Sequence, residues 1–335
     1  MTAAHRRREP SPGLFRLVLP LPWPGLDRVN AYLMADEGGA TLVDCGIWDP
    51  GEDDGGWSRL GAALEATGHE VTDVRALVIT HPHIDHCGMA ARLVETTGCE
   101  LWMHEAGSSE VRTYAEPDRT AAEVRTLLIE HGVSDQDAAE LTGFEDWRGF
   151  LSGVVSPDRA LRDGDRFEVG GRSWEVVHTP GHDAAHICLW SPRERLLISG
   201  DTLLGSVTPH IDFRRGDGNP LGDYIASLSR IEQLEPAMVL PGHGRPFEDG
   251  AERARAIARH HDRRLGAITQ VIRREPHTAS EITDAIFGDT LLHFQRRLAL
   301  GEALAHLAYL RQDGEIERLR ADDGTYLYRK RSRRG

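Results

Sequence analysis

Within Thr80-His81-Pro82-His83-Ile84-Asp85-His86, three imidazoles and one carboxylate fall in six consecutive residues. The preceding run, 74–80, is short and apolar, as in a buried strand. In an extended segment residues two apart face the same way, so His81 and His83 can grip one cation. A turn after them would carry Asp85 and His86 to a neighbouring position at the start of the next helix. Imidazoles and a carboxylate are the ligand set of zinc and similar transition ions. The bland alternative is a polar loop rich in histidine, but the end of an apolar strand is a poor place for one.

Three more residues occupy equivalent positions. His182 closes His178-Thr179-Pro180-Gly181-His182 after the apolar run 174–177. Asp201 follows the run 196–199 and Gly200, and His243 sits in Leu240-Pro241-Gly242-His243-Gly244. Strand ends are where loops gather around a site in layered α/β proteins. Taken singly, each would more often be a surface or hydrogen-bonded residue. Their shared placement makes coincidence a poor account.

Around these motifs, strands are predicted over 14–19, 30–34, 40–43, 74–80, 99–103, 166–178, 185–199 and 236–240. Helices are predicted over 57–67, 89–97 and 224–234. Residues 105–160 are polar, with helical spacing at Val124, Leu127 and Leu128. They read as a helical insertion forming part of a pocket wall, with His104 and His131 expected at the surface. From about residue 251 the pattern changes. Ile257, Leu265, Ile268 and Ile272 recur at helical spacing, and Thr278 with Glu281 makes a capping-box pattern. Leu300, Leu304, Leu307 and Leu310 mark a third helix, and Asp323-Gly324 signals a hairpin. The predicted layout is a flexible 1–13, an α/β domain over 14–250, a small winged-helix-like α+β domain over 251–328 and a basic, disordered tail over 329–335.

At 335 residues the chain exceeds one ordinary core, and 40% hydrophobic with 27% charged residues is globular composition. The net charge of −14 is uneven. Residues 251–335 hold 17 Lys and Arg against 12 Asp and Glu, leaving −19 on residues 1–250. An acidic body disfavours a broad nucleic-acid surface. No segment has the length of a membrane span. Arg6–Arg8 precede an apolar run over 14–21, but Arg16 and Pro20 break it, so a cytoplasmic location is expected. Four cysteines without CxxC spacing give no disulfide framework, and Cys45 and Cys188 are expected to be buried.

The series THPHIDH, HTPGH, SGDT and PGHG resembles the metallo-β-lactamase superfamily over about residues 14–250. The resemblance implies an αββα sandwich. It places His81, His83 and His182 on a first metal, and Asp85, His86 and His243 on a second, with Asp201 bridging. Asp44, in Thr41-Leu42-Val43-Asp44-Cys45-Gly46, would support the metal-binding loop rather than ligate. His186 would support the site or cap a strand. Tyr224 would either donate to a developing oxyanion or pack on the sheet. The implied cofactors are two Zn2+, with Fe or Mn as alternatives.

The implied activity is a binuclear hydrolase in which a hydroxide shared by two cations, oriented by Asp85, attacks a small acyl substrate such as a thioester or lactone. A phosphodiesterase or endoribonuclease of the same fold is the second reading. An iron sulfur dioxygenase and a non-catalytic metal-bound regulatory module are the others. A true β-lactamase fits poorly, for want of an export signal and of a Cys at Asp201. Asp183 departs from the usual Thr or Ser, and whether it faces the site is open. Residues 260–328 resemble the winged-helix appendage of the branch holding thioesterase-like hydrolases and a single-strand endoribonuclease. The third helix offers only Arg296, Arg297 and Arg311 as basic residues, which disfavours DNA. Single-stranded RNA stays open as a partner, no membrane partner is expected, and a homodimer is one expected arrangement.

Overall fold

The computed structural model describes residues 9–23, 25–143, 146–213 and 218–331. Arg6–Arg8 and residues 332–335 lie outside these. Two six-stranded sheets form the centre. The first runs β1 (Leu14–Trp23), β2 (Leu26–Asp36), β3 (Gly39–Val43), β4 (Val74–Ile79), β5 (Glu100–His104), β6 (Arg159–Leu161). Its β1–β2–β3 pairs are antiparallel and the rest parallel. The second holds β7 (Arg166–Val169), β8 (Arg172–His178), β9 (Ile187–Ser191), β10 (Leu196–Gly200), β11 (Met238–Pro241) and β12 (Phe247–Glu248) in sequence order. Only β10 and β11 pair in parallel there.

Both faces of each sheet are covered, so alternation sorts apolar side chains between layers instead of between core and solvent. Val43, Val78, Trp174, Val176, Ile187, Leu189 and Ile198 meet between the sheets. Their neighbours Leu42, Leu77 and Ile79 turn outward to Leu60 and Leu64 of α1 (Trp57–Glu65). After the short α2 (Ile84–Cys87), α3 (Ala90–Thr97) adds Leu93 to that layer. Trp174 is fully buried, and Trp174→Ala would cost about 3–5 kcal/mol. The insertion supplies α4 (Gly107–Thr113), α5 (Pro117–Glu130) and α6 (Asp135–Leu141).

On the far side, Val177, Cys188, Leu197 and Val239 face α7 (Pro220–Leu234) and α8 (Gly250–Val271). The order is helices, sheet, sheet, helices: an αββα sandwich. Beyond α8 come α9 (Ala279–Phe287), α10 (His293–Gln312) and the hairpin β13 (Ile316–Arg320), β14 (Tyr326–Lys330). The Thr278 capping box forms, with Glu281 N–H on Thr278 Oγ1 at 3.2 Å and Thr278 N–H on Glu281 Oε2 at 2.8 Å. One apolar cluster runs without a break from the second sheet through α7 and α8 into α10.

Three expectations need correcting. Residues 9–13 are tied down, because Arg172 donates to the Pro12 carbonyl and Ser11 Oγ, both at 2.7 Å. Arg329 and Lys330 belong to β14 and pair across the hairpin, so order extends to residue 331. His104 and His131 are buried. His104 stacks on His178 at 4.1 Å, and His131 Nδ1 lies 3.1 Å from the Tyr328 hydroxyl. All four cysteines are buried and free. Among the described residues, no helix is long and apolar enough to cross a membrane.

Candidate metal centre

The centre is built at the ends of β3, β4, β8, β10 and β11, where the chain leaves the sheets. Asp44, with φ of 59°, ends β3 and turns its carboxylate back into the protein. Its Oδ1 accepts the Thr80 N–H at 2.8 Å, and its Oδ2 accepts the Thr80 hydroxyl at 2.9 Å. Oδ2 also meets His86 Nδ1 at 2.8 Å, which places that ring's proton on Nδ1 and turns Nε2 inward. Backbone carbonyls do the same elsewhere: His182 Nδ1 donates to His210 O at 2.7 Å, and His243 Nδ1 to Arg28 O at 2.8 Å.

The nitrogens converge in two groups. His83 Nδ1 lies 3.1 Å from His81 Nε2 and 3.0 Å from His182 Nε2. His243 Nε2 lies 3.1 Å from Asp85 Oδ2, and His86 Nε2 lies 3.6 Å from the same oxygen. Asp201 stands between the groups, with Oδ2 at 3.3 Å from His243 Nε2 and 3.8 Å from His182 Nε2, and Oδ1 at 3.5 Å from His86 Nε2. His86 Nε2, His243 Nε2 and Asp201 Oδ1 are buried with no hydrogen-bond partner. Orphaned polar atoms converging at strand ends are costly unless a cation completes them, so the donor set fits metal. The ligand atoms of His81, His83 and His182, and of Asp85, His86 and His243, each lie within 4.8 Å of one another.

Charge separates the two groups. Burial, reinforced by His86 and His83, holds His81 well below its ordinary value, and burial lowers His182 as well, so both imidazoles are neutral. Burial opposes charge on Asp85, but His86 and His243 outweigh it and hold the carboxyl at about 2. Burial likewise lowers His243, yet Asp201 and Asp85 overcome this and raise it to about 10. Asp85, Asp201 and Asp44 also raise His86 against its burial. The second group therefore demands positive charge.

Packing leaves no slack. A Cβ on Gly242 would strike Asp201 Oδ1 and come within 2.7 Å of His86 Cε1. His186 carries its proton on Nδ1, toward Thr179 Oγ1 at 2.8 Å, and its Nε2 accepts the Asp201 N–H at 3.0 Å. Asp183 faces its own turn, accepting the Ala185 N–H at 2.7 Å. Tyr224 does not reach the centre. Its hydroxyl donates to Thr202 O at 2.8 Å, the ring is fully buried, and its backbone packs against Gly181 at φ of 135°. The oxyanion-donor role is withdrawn, and Tyr224 buttresses the loop that carries His182.

Several contributors escape a reading of motifs. Asn30 Nδ2 donates to Pro241 O at 2.7 Å and Gly244 O at 2.9 Å, and the Tyr32 hydroxyl donates to Pro241 O at 2.8 Å. Both hold the loop of His243. Trp23 at the hairpin tip packs on Trp147 at 6.2 Å and Phe150 at 5.9 Å. Arg28 and Arg245 are exposed beside His243. Burial, together with the like charge of these two residues, holds the Arg16 guanidinium below its ordinary value.

The model of the metallo-beta-lactamase superfamily matches residues 24–243, two thirds of the chain. The chain belongs to the metallo-β-lactamase superfamily. A second model, for a metallo-beta-lactamase-like C-terminal domain, matches residues 265–331. Among solved structures, the family protein TTHA1429 of Thermus thermophilus is 31% identical, with a TM-score of 0.81 over 96% of this chain and 99% of that one. A beta-lactamase domain protein of Burkholderia ambifaria is also 31% identical, with a TM-score of 0.77 over 96% and 94%. A probable metallo-hydrolase of Bacillus subtilis, YqjP, is 27% identical over 86% of this chain and 89% of its own length. Superfamily membership carries the metallo-hydrolase class, and the His/Asp cluster is a group that could hold metal.

Proposed function

We propose that the protein is a binuclear hydrolase of a small acyl substrate, a thioester or lactone. The observation that carries the binuclear reading is Asp201, whose carboxylate lies within 3.8 Å of His182, His86 and His243 alike. His81, His83 and His182 would hold one ion, and Asp85, His86 and His243 the other, with Asp201 common to both. When bound, zinc or a similar ion supplies Lewis-acid polarisation and a water acidic enough to ionise near neutral pH.

The chain's own residues do the rest. Asp44 and the carbonyls of His210 and Arg28 lock the imidazole tautomers before substrate arrives. Asp85, ionised and beside His243, is placed to accept and orient a water proton. His186 fixes the Asp201 backbone. The Trp23, Trp147 and Phe150 cluster would suit an apolar acyl group. Arg28 and Arg245 suit a carboxylate or phosphate on the leaving group.

That arginine pair also favours a second reading, phosphodiester cleavage. Side-by-side assay of acyl-glutathione, acyl-CoA thioesters, homoserine lactones, bis-p-nitrophenyl phosphate and single-stranded RNA separates the two. Turnover of an acyl substrate is expected. Turnover confined to the last two would reverse the assignment, and thiol-dependent oxygen uptake with a single iron would replace hydrolysis altogether.

A further inference from the structure

Away from this centre, α8 and α10 bring His261, Glu302 and His306 together, with a ligand atom of each within 4.8 Å of the other two. Glu302 and His306 are four residues apart on one helix, so they share a face. His261 and His306 are fully buried. Their nearest nitrogens, His261 Nδ1 and His306 Nε2, are 3.1 Å apart. The superfamily centre shows the same spacing, 3.0 and 3.1 Å, between its own imidazole nitrogens.

His306 is also presented in the way His182 and His243 are. Its Nδ1 donates to a backbone carbonyl, that of Glu302, at 2.7 Å, leaving the Nε2 lone pair turned into the cluster. Arg264 donates to Glu302 Oε1 at 3.1 Å and orients the group.

With no ion between them, the two imidazoles hydrogen-bond to each other. With the His306 proton on Nδ1, His261 must donate from its own Nδ1. That strands His261 Nε2 as a bare lone pair, buried and with no hydrogen-bond partner. Next to the cluster, His210 Nδ1 lies 3.7 Å from Glu302 Oε2, and His210 Nε2 is buried with no hydrogen-bond partner.

We infer that His261, Glu302 and His306 form a second, separate site for a divalent transition ion, zinc foremost, clamping α8 to α10. Two imidazoles and one carboxylate are a zinc ligand set, and His210 is the side chain placed to complete it. The site lies under the segment whose His210 carbonyl holds His182, so it steadies the catalytic centre without joining it.

Full-length protein is stripped with a chelator, reloaded with Zn2+ alone, desalted and assayed for zinc per chain. His306→Ala should bind one equivalent fewer than the parent. A His81→Ala/His86→Ala/Asp201→Ala variant, with its superfamily centre dismantled, should keep one equivalent. Adding Glu302→Gln, a near-isosteric change, should remove that equivalent. No zinc on the triple variant, or zinc unchanged by both His306→Ala and Glu302→Gln, would overturn the inference.

Discussion

The two histidine clusters are made of the same parts and differ in their supports. The superfamily centre hangs on loops at strand ends, carries Asp44, Asp85 and Asp201, and leaves His83 and His182 half-buried. The α8–α10 cluster sits on the flanks of two helices, with one carboxylate already balanced by Arg264 and both imidazoles sealed. Loops at strand ends can present nitrogens and oxygens to an incoming molecule. Helix flanks packed together bury most of what they carry. An open, carboxylate-rich site serves chemistry, and a closed, charge-balanced one serves architecture.

The largest effect should separate them. Asp201→Ala removes the carboxylate shared by both groups of the open centre and should abolish turnover. Thermal melting of α8–α10, followed by near-UV circular dichroism, should hardly move. Retention of full turnover would mean the centre is assigned wrongly.

Next comes the support beneath the ligands. Asp44→Asn keeps the shape but weakens the hold on His86 Nδ1 and on Thr80. Loss of such a partner lowers metal affinity or activity by about 10–100-fold. Zinc competition with a chromophoric chelator measures it. An unchanged affinity would show that the tautomer of His86 is set by something other than Asp44.

How much of this was legible follows from where the information sits. THPHIDH was readable because its ligands are contiguous and follow an apolar strand, and His182, Asp201 and His243 each repeat that strand-end placement. The mixed α/β class was readable because strands buried on both faces appear as unbroken apolar runs, and the sandwich followed from the family resemblance of the motifs. The clamps on His182 and His243 were not, because they are backbone carbonyls of His210 and Arg28, and any residue has one. His261, Glu302 and His306 escaped because α10 reads as an Ala/Leu core helix, in which a Glu and a His four apart look like polar interruptions. His131 was expected at the surface because its insertion is polar. It is buried because α5 ends against the C-terminal hairpin, where Tyr328 meets it.

His131 offers a third, smaller test, of the closed architecture by pH. Burial, with Arg318 and Arg311 nearby, holds its imidazole at about 4, against about 6.5 in the unfolded chain. The unfolded state therefore takes up the proton first. This contribution to stability is complete above pH ~6.5 and is lost as pH falls from there toward 4. Between pH 7.5 and 5 it amounts to about 2 kcal/mol. Urea unfolding of His131→Gln should show that much less acid sensitivity than the parent, while turnover at pH 7.5 stays the same. Equal acid sensitivity would place the titration elsewhere.

The smallest effect belongs to Tyr224, which lies between the two clusters, edge-to-face with His261 at 5.6 Å and behind the loop of His182. Tyr224→Phe keeps the ring against Gly181 and removes only the donor to Thr202 O. A buried carbonyl left without that donor costs about 1–3 kcal/mol. The hydroxyl is directed away from the open centre, so kcat should change less than twofold while the unfolding midpoint falls. A kcat loss of tenfold or more with unchanged stability would return Tyr224 to the chemistry. The opposite result assigns it to the packing that joins the loops of one cluster to the helices of the other.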